Sequence, residues 1–505
     1  MELPAAVWPG PYDFQMSSYW TMEPAVWAPG LPMEYYQYAT TETFGSCLRF
    51  PRYGSEDLIE KEAAAQEFEV DFHDTNANIH DDAISEFEEE AREFKVDIDM
   101  MKMKIHRYPP SLREFDEWYT VPRMVAIGPY HKPQIFRDQV EKAKHVAAYR
   151  CVRESGRSLH EVYGAVVSAA LDARHLYDKN VMDGMGDSDF LTTMFYDACF
   201  LVQYMLWCTH GINEMDPSLC SFFNFNRKVL RHDLLLLENQ LPWRVVETVM
   251  RFRPVNLVDF IADWRDYLQD RKILVEKPVV LDDSYEPPHL LGFLRFYFVG
   301  KRNIKLHTPA KLRSISVSVS AIELAEIGIT LTAAKDTREL IHMDLTKRGA
   351  GILSAELSLA PLSLDDERAS FLINMAALEL CTTSNFLQAE DEDSAVCSYL
   401  LLLSMLVHRE EDVHELRTKH LLQGGAGMVN KDALGFFTIL QSLPLQGSCY
   451  VRVMVDIEKY KVNRRMLTKV HAFLYKNKTI IFAAFSVISV VVSILGTLVS
   501  LKTHS

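Results

Sequence analysis

From Thr479 to Leu501 the chain reads TIIFAAFSVISVVVSILGTLVSL, twenty-three residues without a charge. An apolar run of that length has two homes, a lipid bilayer or the middle of a large core. As a helix rising 1.5 Å per residue it is roughly 35 Å long, enough to cross a ~30 Å hydrocarbon layer with some tilt. Lys476 and Lys478 stand before it and Lys502 after it. A buried core helix does not normally carry basic collars at the end of a chain, so the sequence predicts one C-terminal transmembrane helix over 479–501 and a tail at 502–505. Lys459, Lys461, Arg464, Arg465 and Lys469 add to the basic side. The positive-inside rule then predicts a single-pass protein of the plasma membrane or endomembrane, with its bulk in the cytosol.

The other 478 residues are globular in character, since 48% of the chain is hydrophobic and 11% aromatic. A net charge of −16 excludes non-specific nucleic-acid binding, which needs a basic surface. The opening MELPAAVWPGPYDF has neither a basic n-region nor an apolar h-region, so no signal peptide is expected. Eight cysteines form no C-x-x-C pair and no regular framework, which fits reduced thiols rather than a disulfide scaffold or a zinc site.

Residues 1–55 are rich in Pro, Tyr, Trp and Met without a period, and read as a flexible extension. Residues 56–104 are acidic, a composition whose commonest meaning is a solvated face. Within them Ile84, Phe87, Ala91, Phe94, Ile98 and Met101 recur at spacings of three and four. That places them on one stripe of an amphipathic helix, packed on the main domain or on a partner.

Residues 105–475 read as one mainly α domain. Helices are expected over 138–152, 159–175, 190–207, 289–298, 365–380, 396–407, 432–440 and 451–475, with a short one after Pro109-Pro110. The 190–207 helix is apolar nearly all round, but Asp197 and Gln203 in its middle are costly in lipid, so it reads as the core helix of the domain. Pro242 splits the Lys228–Met250 stretch into two helices. Ser320-x-x-Glu323 is a capping box, with Gly328 positioned to end that helix. Leu340–Leu345 and Ile352–Leu359 flank a Gly349/Gly351 turn and predict a minor β-hairpin.

Several fragments resemble catalytic motifs and fail on spacing. Arg231-His232-Asp233 inverts the kinase catalytic-loop order, Asn239 comes one residue late, and no glycine-rich loop or D-F-G accompanies it. There is no G-x-S-x-G and no H-E-x-x-H, and Gly424-Gly425-Ala426-Gly427 lacks the strand and the lysine of a phosphate loop. Glu238, Asn239 and Gln240 follow four leucines and precede Pro242. At such a helix break backbone groups lack partners, so these side chains read as a buried polar brace, with a ligand site as the alternative. No catalytic, cofactor-binding or metal-ligating residue is assigned.

Taken in order, three segments resemble the plant family known as domain of unknown function 247. Tyr119–Pro133 (YTVPRMVAIGPYHKP) fits its V-S-I-G-P-F/Y-H slot with Gly128, Pro129 and His131. Met194–Tyr204 fits its D-G-C-F slot with Asp197, Cys199 and Phe200. Asp233–Glu247 is similar to its D-L-L-L-L-E-N-Q-I-P-F-x-V-L-E signature, with Asp233, Glu238, Asn239, Gln240 and Pro242. His289-Leu290-Leu291, the SAIELAEIGI run, and Asn374 with Glu379 follow in family order. Ile373 and Leu380 stand where the family has Arg and Gln, and RRMLTKVHAFLYKNKT replaces its tryptophan-rich segment before the membrane, which marks a diverged member.

The resemblance implies a non-enzymatic protein-interaction, recognition or signalling module. No catalytic activity is established for the family, and some grass members are implicated in self-incompatibility. It also implies a C-terminal membrane helix, a protein partner, no cofactor and no nucleic acid. The motif residues Gly128, Pro129, His131, Asp197, Asp233, Glu238, Asn239, Gln240, Pro242, Asn374 and Glu379 are expected to act as a structural brace or an interaction site. The rival expectation is a membrane-tethered enzyme or ligand-binding protein with a pocket near Asp197, Asp233 and Glu238.

Overall fold

The computed structural model describes residues 100–463, apart from 110–111, 113–116, 132–136, 211–214, 270–277, 302–318, 348–353, 387–388 and 424–426, together with 477, 483 and 486–494. All of these fall within the unit Glu86–Ser505. The expected extension at 1–55 and the amphipathic stripe, up to residue 99, lie outside the described residues, as does most of the helix expected after Pro109-Pro110.

The helices are α1 (Arg137–Ser155), α2 (Leu159–Ala173), α3 (Lys179–Asp183), α4 (Asp187–His210), α5 (Pro217–Phe225), α6 (Arg227–Asp233), α7 (Trp243–Phe252), α8 (Leu257–Leu268) and α9 (Leu290–Val299). Then come α10 (Ala321–Glu326), strands β1 (Ile329–Ala333), β2 (Met343–Lys347), β3 (Ala355–Leu359) and β4 (Leu362–Ser363), and α11 (Asp366–Thr382). The order closes with α12 (Ala395–Leu406), α13 (Glu410–Thr418), β5 (Leu422–Gln423), α14 (Asn430–Gln441) and α15 (Ser448–Asn463). The protein is thus mainly helical with small sheets.

The helix α4 is central because it has no polar face to offer water. It packs on α1, α2, α7 and α8, and Phe190, Met194, Phe200, Tyr204 and Met205 are all sealed from solvent. Phe200 meets Phe222 and Phe223 of α5 edge-on. A second helical group forms around α11, which contacts α6, α9 and α12, while α12 in turn packs on α14 and α15.

The strands β2 and β3 pair antiparallel, Met343 opposite Leu359 and Lys347 opposite Ala355, and β1 adds to β3 in parallel. The order is β1-β3-β2, with β4 and β5 forming a separate parallel pair. No strand is expected from sequence at ITLTA (β1). Its short alternation follows directly on α10, whose capping box joins the Ser320 hydroxyl to Glu323 N and the Glu323 carboxylate to Ser320 N. Gly328, at φ +90°, then turns the chain into the strand.

Two expectations are corrected. The helix break before α7 does not begin at Pro242. The helix α6 ends at Asp233, and residues 234–242 run as turns. The cause is side-chain competition: the Asn239 and Gln240 amides donate to the carbonyls of Asp233, Leu234 and Leu236, offering the backbone partners other than a helix.

The second correction is the C-terminal transmembrane helix. Among the described residues no helix is long and apolar enough to cross a membrane. Within Thr479–Leu501 the described helix covers residues 486–494. The rest of that run lies outside the described residues.

If α4 is the packing centre, Phe200→Ala should lower unfolding free energy by about 3–5 kcal/mol. Phe225→Ala, at a side chain 88% exposed, should change it by no more than about 0.5 kcal/mol. Urea unfolding followed by circular dichroism reads both.

Candidate functional site

The segment from Arg123 to Gly128 crosses the interior without belonging to a helix or a strand. Its amides therefore need partners from elsewhere, since an unpaired buried N–H costs as much as a lost hydrogen bond. Side chains from two helices and one loop supply them.

Asp233, wholly buried at the end of α6, accepts from Arg123 N at 2.9 Å, and from Met124 N and Val125 N at 2.8 Å each. Its neighbour His232 has Nδ1 2.8 Å from Asp233 Oδ1 and Nε2 2.6 Å from the Trp118 carbonyl. Asn239 accepts from Ile127 N at 2.6 Å and donates to the carbonyls of Val125 and Asp233. Asp197, from the middle of α4, accepts from Gly128 N at 2.9 Å and faces Lys144 Nζ of α1 at 2.5 Å. Lys144 also donates to the Ala126 carbonyl at 2.7 Å. Burial pushes the Asp197 carboxyl upward, against the opposing pull of Lys144 and the Gly128 N–H.

Gly128 has φ +75°, and a Cβ there would lie 2.8 Å from the Gln240 carbonyl oxygen. Only glycine satisfies both demands. Pro129 follows it, buried, and lines a 170 Å³ cavity with His131, Lys144 and Asp197.

The Glu238–Gln240 loop ties in three further parts. Glu238 accepts from Tyr108 N at 2.7 Å, pairs with Arg107 Nε at 3.1 Å, and lies 3.6 Å from His131 Nε2. Gln240 accepts from Leu291 N at the start of α9. Leu237 N donates to Asn374 Oδ1 of α11 at 2.7 Å, and the Tyr108 hydroxyl donates to the same oxygen. The Asn374 amide group in turn donates to the carbonyls of Tyr119 and Ser370. Pro242 closes the loop as the residue before α7, its carbonyl accepting from Val245 N.

Seven of the eleven expected residues, Gly128, Asp197, Asp233, Glu238, Asn239, Gln240 and Asn374, therefore share one buried polar network; His131 lies beside it at Glu238, and Pro129 and Pro242 adjoin it along the chain. Glu379 stands apart. It takes two N–H groups from Arg295 of α9 and caps α12 through Val396 N at 3.0 Å and Cys397 N at 2.8 Å. Its carboxyl is raised by burial, with the Arg295 charge opposing.

Sequence reasoning missed Tyr108, Lys144 and Arg295. The last two carried a signal. Lys144 falls on the α1 stripe of Val140, Ala143 and Ala147, and Arg295 is the one charge in LLGFLRFYFV. A charge on a buried face needs a buried partner. Tyr108 carried none, because its hydroxyl meets Asn374 across 266 positions of chain.

Chemically, the site is closed. Asp197, Asp233 and Glu238 do not converge on an open cleft: each is held by backbone N–H groups or by a cation. Lys144 faces three acceptors, counting Glu141 at 3.6 Å, so the small cavity offers no unengaged ammonium. Among the described residues no cluster of His, Cys, Asp and Glu is placed to hold a metal. A larger concavity, 640 Å³, opens beside Pro242 and Trp243.

Residues 105–492 match a family described as plant protein of unknown function, DUF247, which is well over half of the chain. The chain belongs to the DUF247 family. Within the plant relatives, the Arabidopsis thaliana UPF0481 protein At3g47200 is 22% identical over 363 residues, covering 66% of this chain and 71% of the relative. No solved structure matches the chain. The polar network of this DUF247 chain thus lies wholly inside the matched region.

Two outcomes test this geometry. Asn239→Leu leaves Ile127 N and the Val125 carbonyl buried without partners and should cost about 2 kcal/mol or more in urea unfolding, at ~1–3 kcal/mol for each such group. The second concerns pH. Burial, aided by the Arg107 charge, lowers His131 to about 4, and burial lowers His289 to about 3. Both folded values lie below the ordinary histidine value, so the unfolded chain takes up protons first. Their contribution is fully present above about pH 6.5 and is lost as pH falls towards 4 and 3. At pH 5 that is roughly 2 kcal/mol per histidine. The raised Asp197 and Glu379 carboxyls act in the opposite sense, so the comparison is with His131→Asn/His289→Asn. The double variant should lose about 4 kcal/mol less between pH 7 and pH 5.

Proposed function

We propose that this DUF247 protein is a non-enzymatic module for recognition or signalling that works by binding another protein. The observation that carries this reading is the state of its three most chemically suggestive carboxylates. A general acid or base needs a free lone pair or proton within reach of substrate. The oxygens of Asp197, Asp233 and Glu238 are instead engaged by the amides of Gly128, Arg123, Met124, Val125 and Tyr108, and by Lys144 and Arg107.

Such a network rigidifies a fold. It joins α1, α4, α6, α9 and α11 through one loop, and a rigid frame holds surface residues in fixed positions, which lowers the ordering cost of binding. The acidic balance of the chain supports partners with basic surfaces over nucleic acid.

The test is crosslinking with mass spectrometry of the full-length protein in plant tissue. The reading expects a recurring set of crosslinks to one or a few other proteins. Recovery of uncrosslinked protein alone, across tissues, would contradict it. Charge-neutral Asp233→Asn should weaken the fold and partner crosslinking together, since it removes acceptor strength beneath three amides.

A further inference from the structure

The 640 Å³ concavity takes no part in the polar network, and its size falls within the ~300–1,000 Å³ range typical of ligand sites. Two aromatic pairs frame it. Trp243 stacks on Phe293 at 4.6 Å, and Tyr285 stacks on Phe296 while donating its hydroxyl to the Gly292 carbonyl. Met100 and Met103 line another side, giving it the flexible, polarizable surface that adapts to varied apolar side chains.

The rim is acidic. Five carboxylates line it: Asp172, Glu247, Asp282, Asp283 and Glu286. Two are neutralised, Glu247 by Arg251 at 3.7 Å and Asp282 by Lys301. Asp172, Asp283 and Glu286 are exposed and have no ion-pair partner among the described residues. Arg244, without an ion-pair partner among the described residues, opposes them, and His175 also lines the rim. Among the described residues, three carboxylates without an ion pair face one such guanidinium, which leaves a negative field over a floor that is only partly apolar and concentrates cations.

We propose that this cleft is a docking groove for a basic amphipathic segment of a partner protein. An apolar side chain of the segment lies against the half-buried Met103 and Tyr285, and its lysines or arginines lie beside Asp283 and Glu286. Tyr285, held by its stack on Phe296 and its bond to the Gly292 carbonyl, supplies contact area at low ordering cost, and the acidic rim sets partner choice and on-rate. The inference rests on the interaction reading above and names its surface and the chemistry it selects.

The experiment is fluorescence anisotropy of the full-length protein with two labelled twelve-residue peptides. Both carry a Leu-Phe centre, one flanked by lysines and one by glutamates. The lysine peptide should bind at least tenfold more tightly. Asp283→Lys/Glu286→Lys, at exposed positions that leave the fold intact, should abolish or reverse that preference. Glu410→Lys/Glu411→Lys, an equal charge change on α13, should leave it unchanged. Equal binding of the two peptides, an equal loss with both charge-reversed variants, or no binding at about 1 mM would overturn the groove. So would a gain in affinity on Arg464→Glu/Arg465→Glu/Lys469→Glu, since the chain's own basic run would then be the occupant. Recurring partner crosslinks that map away from the cleft would sink this inference alone; absence of any partner would sink the interaction reading as well.

Discussion

The structure depends on how a buried, irregular stretch of backbone satisfies its amides. Residues 123–128 make no ladder with a strand and no turn of helix, and Met124, Val125, Ile127 and Gly128 are buried away from water. Asp233, Asn239 and Asp197 take that role. The carboxylates are well suited to it, because hydrogen bonds to charged acceptors are worth about 1.5–3 kcal/mol against roughly 1 for neutral ones. Their burial is costly, and it is offset by several donors at once and, for Asp197, by the Lys144 ammonium. Remove one acceptor and the loss is the full desolvation penalty of each orphaned amide.

That requirement explains why polar residues gather around Glu238–Gln240 without forming an active site. One loop must brace the crossing segment on one side and the starts of α9 and α11's neighbours on the other. Asn and Gln do this well because each side chain carries both a donor group and an acceptor. Asn239 bonds to the crossing segment in both senses, and Gln240 joins its own loop to Leu291. Glu379 repeats the logic elsewhere, linking Arg295 of α9 to the N-terminus of α12, where partial positive charge from the helix favours an anion.

What the sequence made legible follows its local patterns. The all-round apolar run with Asp197 in its middle marks α4, and the capping box marks α10. Patterns with short range gave these elements within a few residues. The end of α6 was hidden because leucines are good helix formers, and only the side-chain capture of the Asp233, Leu234 and Leu236 carbonyls stops the helix. The Tyr108–Asn374 bond and the aromatic cleft at Trp243 were hidden for another reason. Each is assembled from residues far apart in the chain, and no periodicity encodes which distant segments meet. For the C-terminal apolar run hydropathy predicted a spanning helix, whereas among the described residues no helix is long and apolar enough to cross a membrane.

Native-state hydrogen exchange tests the central claim most directly. If buried side chains hold the crossing segment as part of the core, the amides of Arg123, Met124, Val125, Ile127 and Gly128 should exchange only through global unfolding, as slowly as those in the middle of α4. Exchange of these five amides much faster than α4, by local opening while the helix stays protected, would contradict the account. The segment would then be a movable strap over an accessible site rather than a braced part of the interior.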